Sequence, residues 1–315
     1  MLLVADGSYR EHLDSLPDGV RVEWFESEGE LLDAVPEAEV LLLGPDRGWP
    51  IGPVVDAAKR LRWVHTRAAG VDRGQVQPLS LFRERDITVT NGSGISSIPI
   101  AEFVALAVLL AAKGMPQLLA QQQERIWKKP ITSRELSGTR AMLLGFGDVG
   151  RAVAARLQAF GVEVLAVRRH AAPEAGVEVL GPGEWRDHLG TVDWLVVTTP
   201  LTADTRHLVG TAELAAMRGD AWLVNVSRGE VVDQGAVVAA LRGGAIGGAV
   251  LDVTDPEPLP PDHELWGIPN AVVTPHCSWV SPAFPGRATD LFLDNLRRWC
   301  SGASLRNVVD LEAGY

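Results

Sequence analysis

The segment Ala141-Met-Leu-Leu-Gly-Phe-Gly-Asp-Val-Gly-Arg151 constrains this chain more than any other. A short apolar run stops at Gly145, Gly147 and Gly150, spaced G-x-G-x-x-G. A helical pattern follows, with Val149, Val153, Leu157 and Phe160 on one face, and it ends at Gly161 before a second apolar run, Val162–Val167. Alone, three glycines at this spacing are a weak signal. Strand, glycine turn, helix and strand within about thirty residues is the context in which they signify dinucleotide binding. Each glycine has its own reason. Gly145 permits the tight turn, Gly147 lets the backbone approach a pyrophosphate, and Gly150 lets helix and strand pack closely. Cofactor contacts are therefore expected from Gly145, Gly147, Asp148, Val149 and Gly150. There the helix offers free N–H groups and its positive end to phosphate.

The length of 315 residues suits two domains, and 46% apolar with 22% charged residues suits a globular protein. The longest apolar stretch, Ile100–Ala112, carries Glu102 and falls short of the roughly eighteen residues a membrane helix needs. The start Met1-Leu-Leu-Val-Ala-Asp6 lacks the basic residues of a signal peptide and reads as a first strand. Cys277 and Cys300 have no metal-ligand spacing, so no metal and a reduced, cytoplasmic setting are expected. A net charge of −11 argues against nucleic acid as the main partner. It does not bear on a small anionic substrate.

Strands are predicted at Leu2–Ala5, Val20–Trp24, Val40–Leu43, Leu61–Thr66 and Ile87–Thr90, with helical or loop material between them, including Ser27–Ala34 and Ile51–Lys59. Strands joined by crossover helices imply a parallel sheet. This first unit has no glycine-rich phosphate loop. Its segment Thr66-Arg-Ala-Ala-Gly-Val-Asp72 follows a strand, where ligands sit in open α/β sheets, although on this segment alone a plain turn with a solvated arginine is slightly favoured. Asn91-Gly-Ser-Gly94 is a hinge candidate. Helix Ile100–Ala112 looks buried on most sides. Residues 113–137 are polar and read as a long loop with an exposed Trp127, either a subunit contact or an ordinary surface arm.

Strands are expected again at Val192–Thr199, Ala221–Val226, Ala249–Val253 and Ala271–Thr274, with helices from Thr211 to Arg218 and from an Asp233 cap to Gly243-Gly244. The second unit, 96–283, is thus a doubly wound sheet. The last helical stretch, Arg287–Trp299, has an apolar face of Leu291, Phe292, Leu296 and Trp299. It is expected to return to the first unit, making that unit 1–95 plus 284–315.

A chain that uses NAD carries Asp or Glu after its second strand, about 20 residues beyond the glycines, for the ribose 2′-hydroxyl. Here that strand ends Ala166-Val-Arg-Arg-His170, and Arg168 lies 23 residues after Gly145. A guanidinium fork binds a 2′-phosphate bidentately where a carboxylate would repel it. Arg168 and Arg169 therefore favour NADP(H), with NAD(H) still possible. The bland alternative is two surface arginines at a strand end.

Three later strands each end on a residue suited to catalysis: Arg228 in Asn225-Val-Ser-Arg-Gly229, Glu257 in Asp252-Val-Thr-Asp-Pro-Glu-Pro258, and His276 in Thr274-Pro-His276. An arginine can hold a carboxylate and polarise the adjacent carbonyl. Imidazole titrates near neutrality and suits proton transfer to a carbonyl oxygen, and Glu257 would hold its ring. A lone histidine after a strand is more often structural; convergence with a cofactor motif favours catalysis. His12, His65, His170, His188, His207 and His263 show no such constellation.

Together these residues resemble the D-isomer-specific 2-hydroxyacid dehydrogenases. The matching blocks are Ala69-Gly-Val-Asp72, Gly145–Gly150, Thr199-Pro-Leu-Thr202, Asn225–Asp233, Leu251–Pro260 and Thr274–His276. The resemblance implies two doubly wound parallel-sheet α/β domains, a Rossmann dinucleotide-binding domain and a flavodoxin-like substrate domain, with a cleft at the hinge. It implies a homodimer joined through the cofactor domains and hydride transfer between NADP(H) and a small 2-oxo or 2-hydroxy acid. In that scheme Arg228 binds and polarises the substrate, while Glu257 and His276 form the acid/base pair. The backbone at Ala69 and Gly70 receives the substrate carboxylate. Asp252 contacts the nicotinamide amide, Thr199 and Pro200 flank the adenosine, and Val226, Ser227 and His276 complete the cofactor contacts.

Two departures stand out. Arginines at 168 and 169 replace the acid of NAD-using members, as in NADPH-using glyoxylate and hydroxypyruvate reductases. Trp279 stands where many members carry small residues and would narrow the pocket or meet a substrate's tail. Arg67 is placed to meet a second anionic group. Within the same family, phosphoglycerate and phosphite dehydrogenases share the triad, formate dehydrogenase is disfavoured by a glutamate at 257, and corepressors keep the fold as dinucleotide sensors.

Overall fold

The computed structural model describes residues 1–13, 15–129, 133–169 and 172–315. His170, and the part of the polar arm from 130 to 132, lie outside the described residues. The chain divides into two compact units, Met1–Ile95 with Ser281–Tyr315, and Ser96–Val280. The second junction falls at Ser281, three residues before the boundary at 284 read from sequence.

In the first unit five parallel strands, β1 (Leu2–Asp6), β2 (Arg21–Phe25), β3 (Val40–Leu43), β4 (Trp63–Thr66) and β5 (Thr88–Thr90), lie in the order β2-β1-β3-β4-β5. This is the flavodoxin-like order. Strand side chains alternate between faces, and both faces here are apolar. Leu2 and Val4 join one core with Phe25, Leu41, Val64 and Phe82, while Leu3 and Ala5 join another with Val40, Leu42 and Trp63. Onto the second face helix Phe284–Ser301 packs Ala288, Phe292, Leu293 and Leu296, with Phe292 and Trp299 each 5.5 Å from the Trp63 ring.

His65 is fully buried beside these rings. Its Nδ1 lies 2.7 Å from the Thr90 hydroxyl, which also accepts the Trp63 indole N–H at 2.8 Å. Burial disfavours the imidazolium and lowers the His65 pKa to about 3.

In the second unit seven parallel strands are β6 (Arg140–Leu144), β7 (Glu163–Val167), β8 (Glu178–Leu180), β9 (Trp194–Val197), β10 (Trp222–Asn225), β11 (Gly248–Leu251) and β12 (Ala271–Val273). Their order is β12-β11-β10-β9-β6-β7-β8. Counted from β6 this is 3-2-1-4-5-6-7, and the order reverses between β6 and β9, the switch point where ligands of such sheets bind. Met142 and Leu144 face one core, and Ala141 and Leu143 the other.

One expectation is corrected. The polar stretch after 113 is not wholly loop, because Met115–Gln123 is a helix started by Gly114 in a left-handed conformation with Pro116 in its first turn. Met115, Leu118 and Leu119 recur at helical spacing, but the helix buries none of its residues. Helix Ser97–Ala112 is covered on most sides, as expected, with one exposed stripe of Ile98, Glu102 and Leu106, the last at 57%. Strand β8 has only three residues and was not anticipated; it sits at the sheet edge, paired with β7 alone. Among the described residues no single helix is long and apolar enough to cross a membrane, and no His, Cys, Asp or Glu cluster has metal-binding geometry.

Candidate active site

The glycine turn leaves β6 at Leu144. Gly145 adopts φ 105°, and a Cβ there would lie 2.7 Å from the Thr199 nitrogen. A Cβ on Gly150 would lie 2.5 Å from the Gly145 carbonyl oxygen, so the helix start packs directly on the turn. Gly147 differs: nothing lies within 4 Å of the corresponding point. Helix Asp148–Ala159 starts there without a side-chain cap. An open approach to a 12-residue helix's uncapped N-terminus fits a pyrophosphate. Asp148 and Val149 are the helix's first two residues.

Thr198 closes the switch point, its N–H donating to Leu144 O and its hydroxyl to Gly145 O, both at 2.8 Å. Thr199 and Pro200 follow directly. On β10, Val226 donates to Val197 O, and the Ser227 N–H and hydroxyl both donate to Asn225 Oδ1 at 3.1 Å. Arg168 follows β7, beside the turn, since Gly145 N donates to Val167 O at 3.0 Å. Arg168 is half-buried and Arg169 exposed.

Arg228, Glu257 and His276 follow β10, β11 and β12, three adjacent parallel strands, at their carboxyl ends. The loops are tied to one another. Asn225 donates through Nδ2 to Arg228 O at 2.9 Å, and Arg228 Nη1 donates to Ser227 O at 2.8 Å. Gly229 abuts the backbone of Thr254 and Asp255, leaving no room for a side chain. Gln234 grips the next loop at two points, donating to Asp255 O at 2.7 Å and accepting from Asp255 N at 3.0 Å.

Within that loop Glu257 uses both oxygens. Oε1 accepts the Thr254 N–H at 3.2 Å, and Oε2 lies 3.1 Å from His276 Nδ1. The pair is partly accessible, at 37% for His276 and 22% for Glu257. A carboxylate on Nδ1 orients the ring and leaves Nε2 for proton exchange with a ligand.

His276 has φ 50°, a left-handed conformation rare for a side-chain-bearing residue. Several bonds hold it. Its N–H donates to Asp252 O at 2.8 Å, and its carbonyl accepts the Trp279 indole N–H at 2.9 Å. Asp252, itself 1% exposed, accepts from the Thr274 hydroxyl at 2.6 Å and from the N–H groups of Cys277 and Ser278 at 2.9 Å. Burial opposes ionisation of Asp252, but those hydrogen bonds outweigh it and lower its pKa. Burial and the neighbouring Asp252 charge raise the Cys277 pKa, keeping it a thiol. Asp252 thus ties the 274–278 turn from beneath.

Arg67, Ala69 and Gly70 belong to the first unit. Their loop is fixed by Gly92 N–H donating to Ala68 O and Asn91 Nδ2 donating to Ala69 O, at 2.9 and 2.8 Å. These bonds use carbonyls, not the N–H groups of Ala69 and Gly70. The Arg67 guanidinium lies 5.4 Å over the Phe284 ring. Residues 91–94, read as a hinge, are part of this bracing, and Asn307 donates to Asn91 O and Ser93 O.

The family model for "D-isomer specific 2-hydroxyacid dehydrogenase, NAD binding domain" matches residues 105–278, more than half of the chain. The chain belongs to the D-isomer-specific 2-hydroxyacid dehydrogenases. Its second unit is therefore an NAD(P)-binding domain of this family of oxidoreductases. A glyoxylate reductase of Korarchaeum cryptofilum is 34% identical over 82% of this dehydrogenase chain and 79% of its own length. A D-3-phosphoglycerate dehydrogenase of Methanocaldococcus jannaschii is 29% identical over 98% of the chain, which spans 59% of that relative. A family member from Xanthobacter autotrophicus Py2, solved in complex with NADPH and MES, superposes with a TM-score of 0.84. It is 30% identical over 100% of this chain and 99% of its own. Sequence reasoning had not singled out Asn225, Gln234 or Thr254 in this dehydrogenase. They act through hydrogen bonds to residues 3 to 21 positions away, and although Asn225 and Thr254 fall inside matching blocks, spacing alone gives them no role.

Proposed function

We propose that this dehydrogenase reduces a small 2-oxo acid to its D-2-hydroxy acid with NADPH. The observation that carries the reading is Glu257 Oε2 at 3.1 Å from His276 Nδ1, at a strand end three positions along the sheet from the glycine turn. When bound, the reduced dinucleotide supplies hydride to the carbonyl carbon. His276 donates the proton through Nε2 to the oxygen that becomes the hydroxyl, and Glu257 stabilises the ring while it is charged. Arg228 holds the substrate carboxylate in a bidentate pair and draws electron density from the carbonyl. Ala69 and Gly70 offer two further N–H groups to that carboxylate, with Arg67 for a second anionic group. Val226, Ser227, Thr199 and Pro200 line the cofactor side.

The preference for NADP(H) is supported by Arg168 and Arg169 standing where an acid would select NAD. The Xanthobacter relative, 30% identical, was solved with NADPH. A homodimer is supported by the exposed apolar residues Ile98, Leu106 and Trp127 of the second unit, the last wholly exposed. Light scattering on the purified chain gives a dimer mass on this reading.

The deciding assay follows absorbance at 340 nm with NADPH and with NADH against glyoxylate, hydroxypyruvate, pyruvate, phenylpyruvate and 3-phosphohydroxypyruvate. Turnover with NADPH on a 2-oxo acid is expected. Binding of either dinucleotide without turnover on any of them would favour a sensor over an enzyme.

A further inference from the structure

Arg151 lies in the first turns of helix Asp148–Ala159, directly after the last glycine of the motif. Its guanidinium sits 5.3 Å over the Phe146 ring, and Nη1 donates to Phe146 O at 2.9 Å. The Arg151 Nε lies 3.5 Å from Glu174 Oε2, and Arg168 Nη1 lies 3.8 Å from the same oxygen. Two cations, one from the helix start and one from the end of β7, therefore converge on one carboxylate beside the glycine turn. Arg151, Arg168 and Glu174 are 44%, 24% and 35% exposed, so a solute can reach all three.

Two guanidinium groups facing one point are suited to an anion with more charge and more acceptor oxygens than a carboxylate, and a phosphate monoester has both. We propose that Glu174 is a cofactor-selectivity residue, an internal anion that holds Arg151 and Arg168 until a 2′-phosphate displaces it. Arg151 is then the second phosphate-holding cation alongside Arg168. This role rests on the NADP(H) reading above, because a dinucleotide with a bare 2′-hydroxyl brings no anion to compete with Glu174. The carboxylate therefore tempers the preference that the arginines create: NADPH must break two ion pairs to bind and NADH need not.

The test measures dissociation constants for NADPH and NADH by fluorescence titration of the full chain, without substrate, at fixed ionic strength. Wild type is compared with Glu174→Gln, Glu174→Ala, Arg151→Ala and Arg168→Ala, each checked for an unchanged melting temperature. Both Glu174 variants are expected to bind NADPH about two- to five-fold more tightly, the scale of partly exposed ion pairs. Neither should gain affinity for NADH. Arg151→Ala and Arg168→Ala are expected to weaken NADPH at least five-fold and NADH by less than two-fold. Suppose Arg168→Ala costs NADPH selectively while the Glu174 variants shift neither cofactor, or both equally. Then the role of Glu174 is wrong and the NADP(H) reading stands. If Arg168→Ala affects both cofactors alike, the NADP(H) reading fails and takes the role of Glu174 with it.

Discussion

The indole N–H of Trp279 donates to the carbonyl of His276 at 2.9 Å, so the tryptophan three residues on closes the turn that carries the histidine. The sequence raised Trp279 as a wall or tail contact for substrate. The bond adds a different task, keeping His276 at its left-handed φ of 50°. Trp279→Phe preserves the ring and removes the bond. It is expected to lower kcat about two- to ten-fold, the value of one hydrogen bond, with KM little changed. A rise in KM at constant kcat would return Trp279 to the substrate side.

Replacing His276 with Ala removes the proposed proton donor and is expected to cut kcat by about 10² to 10⁴ with dinucleotide affinity retained. Steady-state kinetics paired with a binding titration separates the two. A variant with near-native turnover would end the assignment of His276.

Arg228→Lys keeps the charge and loses the planar fork. Because bidentate recognition of a carboxylate depends on that fork, kcat/KM for the 2-oxo acid is expected to fall about ten-fold or more. Glycerol or salt should not restore it. Equal kinetics would show that a point charge suffices.

Gly229→Ala places a methyl group against the Thr254 carbonyl. The loops carrying Arg228 and Glu257 cannot both keep their positions, and we expect a loss of about 1–3 kcal/mol in stability together with reduced kcat. Urea denaturation followed by circular dichroism measures the first. Unchanged stability would mean the loops have slack.

His65 supplies a pH dependence of stability. Its pKa is about 3 in the folded chain and near 6.5 in the unfolded one, so below pH 6.5 the unfolded state binds a proton that the native state does not. The contribution is whole above pH 6.5 and is lost progressively as pH falls towards 3, at up to about 1.4 kcal/mol per pH unit. His65→Gln should flatten the decline in stability between pH 6.5 and 4.5, measured by denaturant titration at several pH values. A parallel decline in both proteins would contradict it.

What could be read from the sequence was what repeats or has fixed spacing. The continuous apolar run Ala141–Leu144 reads as a buried strand, and Gly145, Gly147 and Gly150 mark the turn by their intervals. Arg228, Glu257 and His276 were legible because each follows an apolar run. The network that holds them was not, since Gln234 and Asp255 are 21 residues apart and meet only because β10 and β11 are neighbours. Helix Met115–Gln123 escaped notice because its apolar set of Met115, Leu118 and Leu119 is short and stands among glutamines. Burial of helix Ser97–Ala112 was legible from its apolar run, whereas the exposed stripe through Ile98 and Leu106 was not, because both look like core residues by type. Glu174, an unremarkable acid in a loop, gains meaning only from the two arginines it meets.

The first sheet is closed on one face by helix Phe284–Ser301, encoded after the entire second unit. On the ribosome, β1 to β5 emerge early, yet Leu3, Trp63 and their neighbours have only Tyr9, Leu13 and Ile95 over them until some two hundred further residues have been made. The second unit, contiguous from Ser96 to Val280, has its complete set of strands before the first can finish. Synthesis order and folding order are thus reversed for the two halves, and the N-terminal half spends translation as the exposed, aggregation-prone partner. A stop codon at 280 would leave the NAD(P)-binding unit whole and the first unit with one largely bare apolar face.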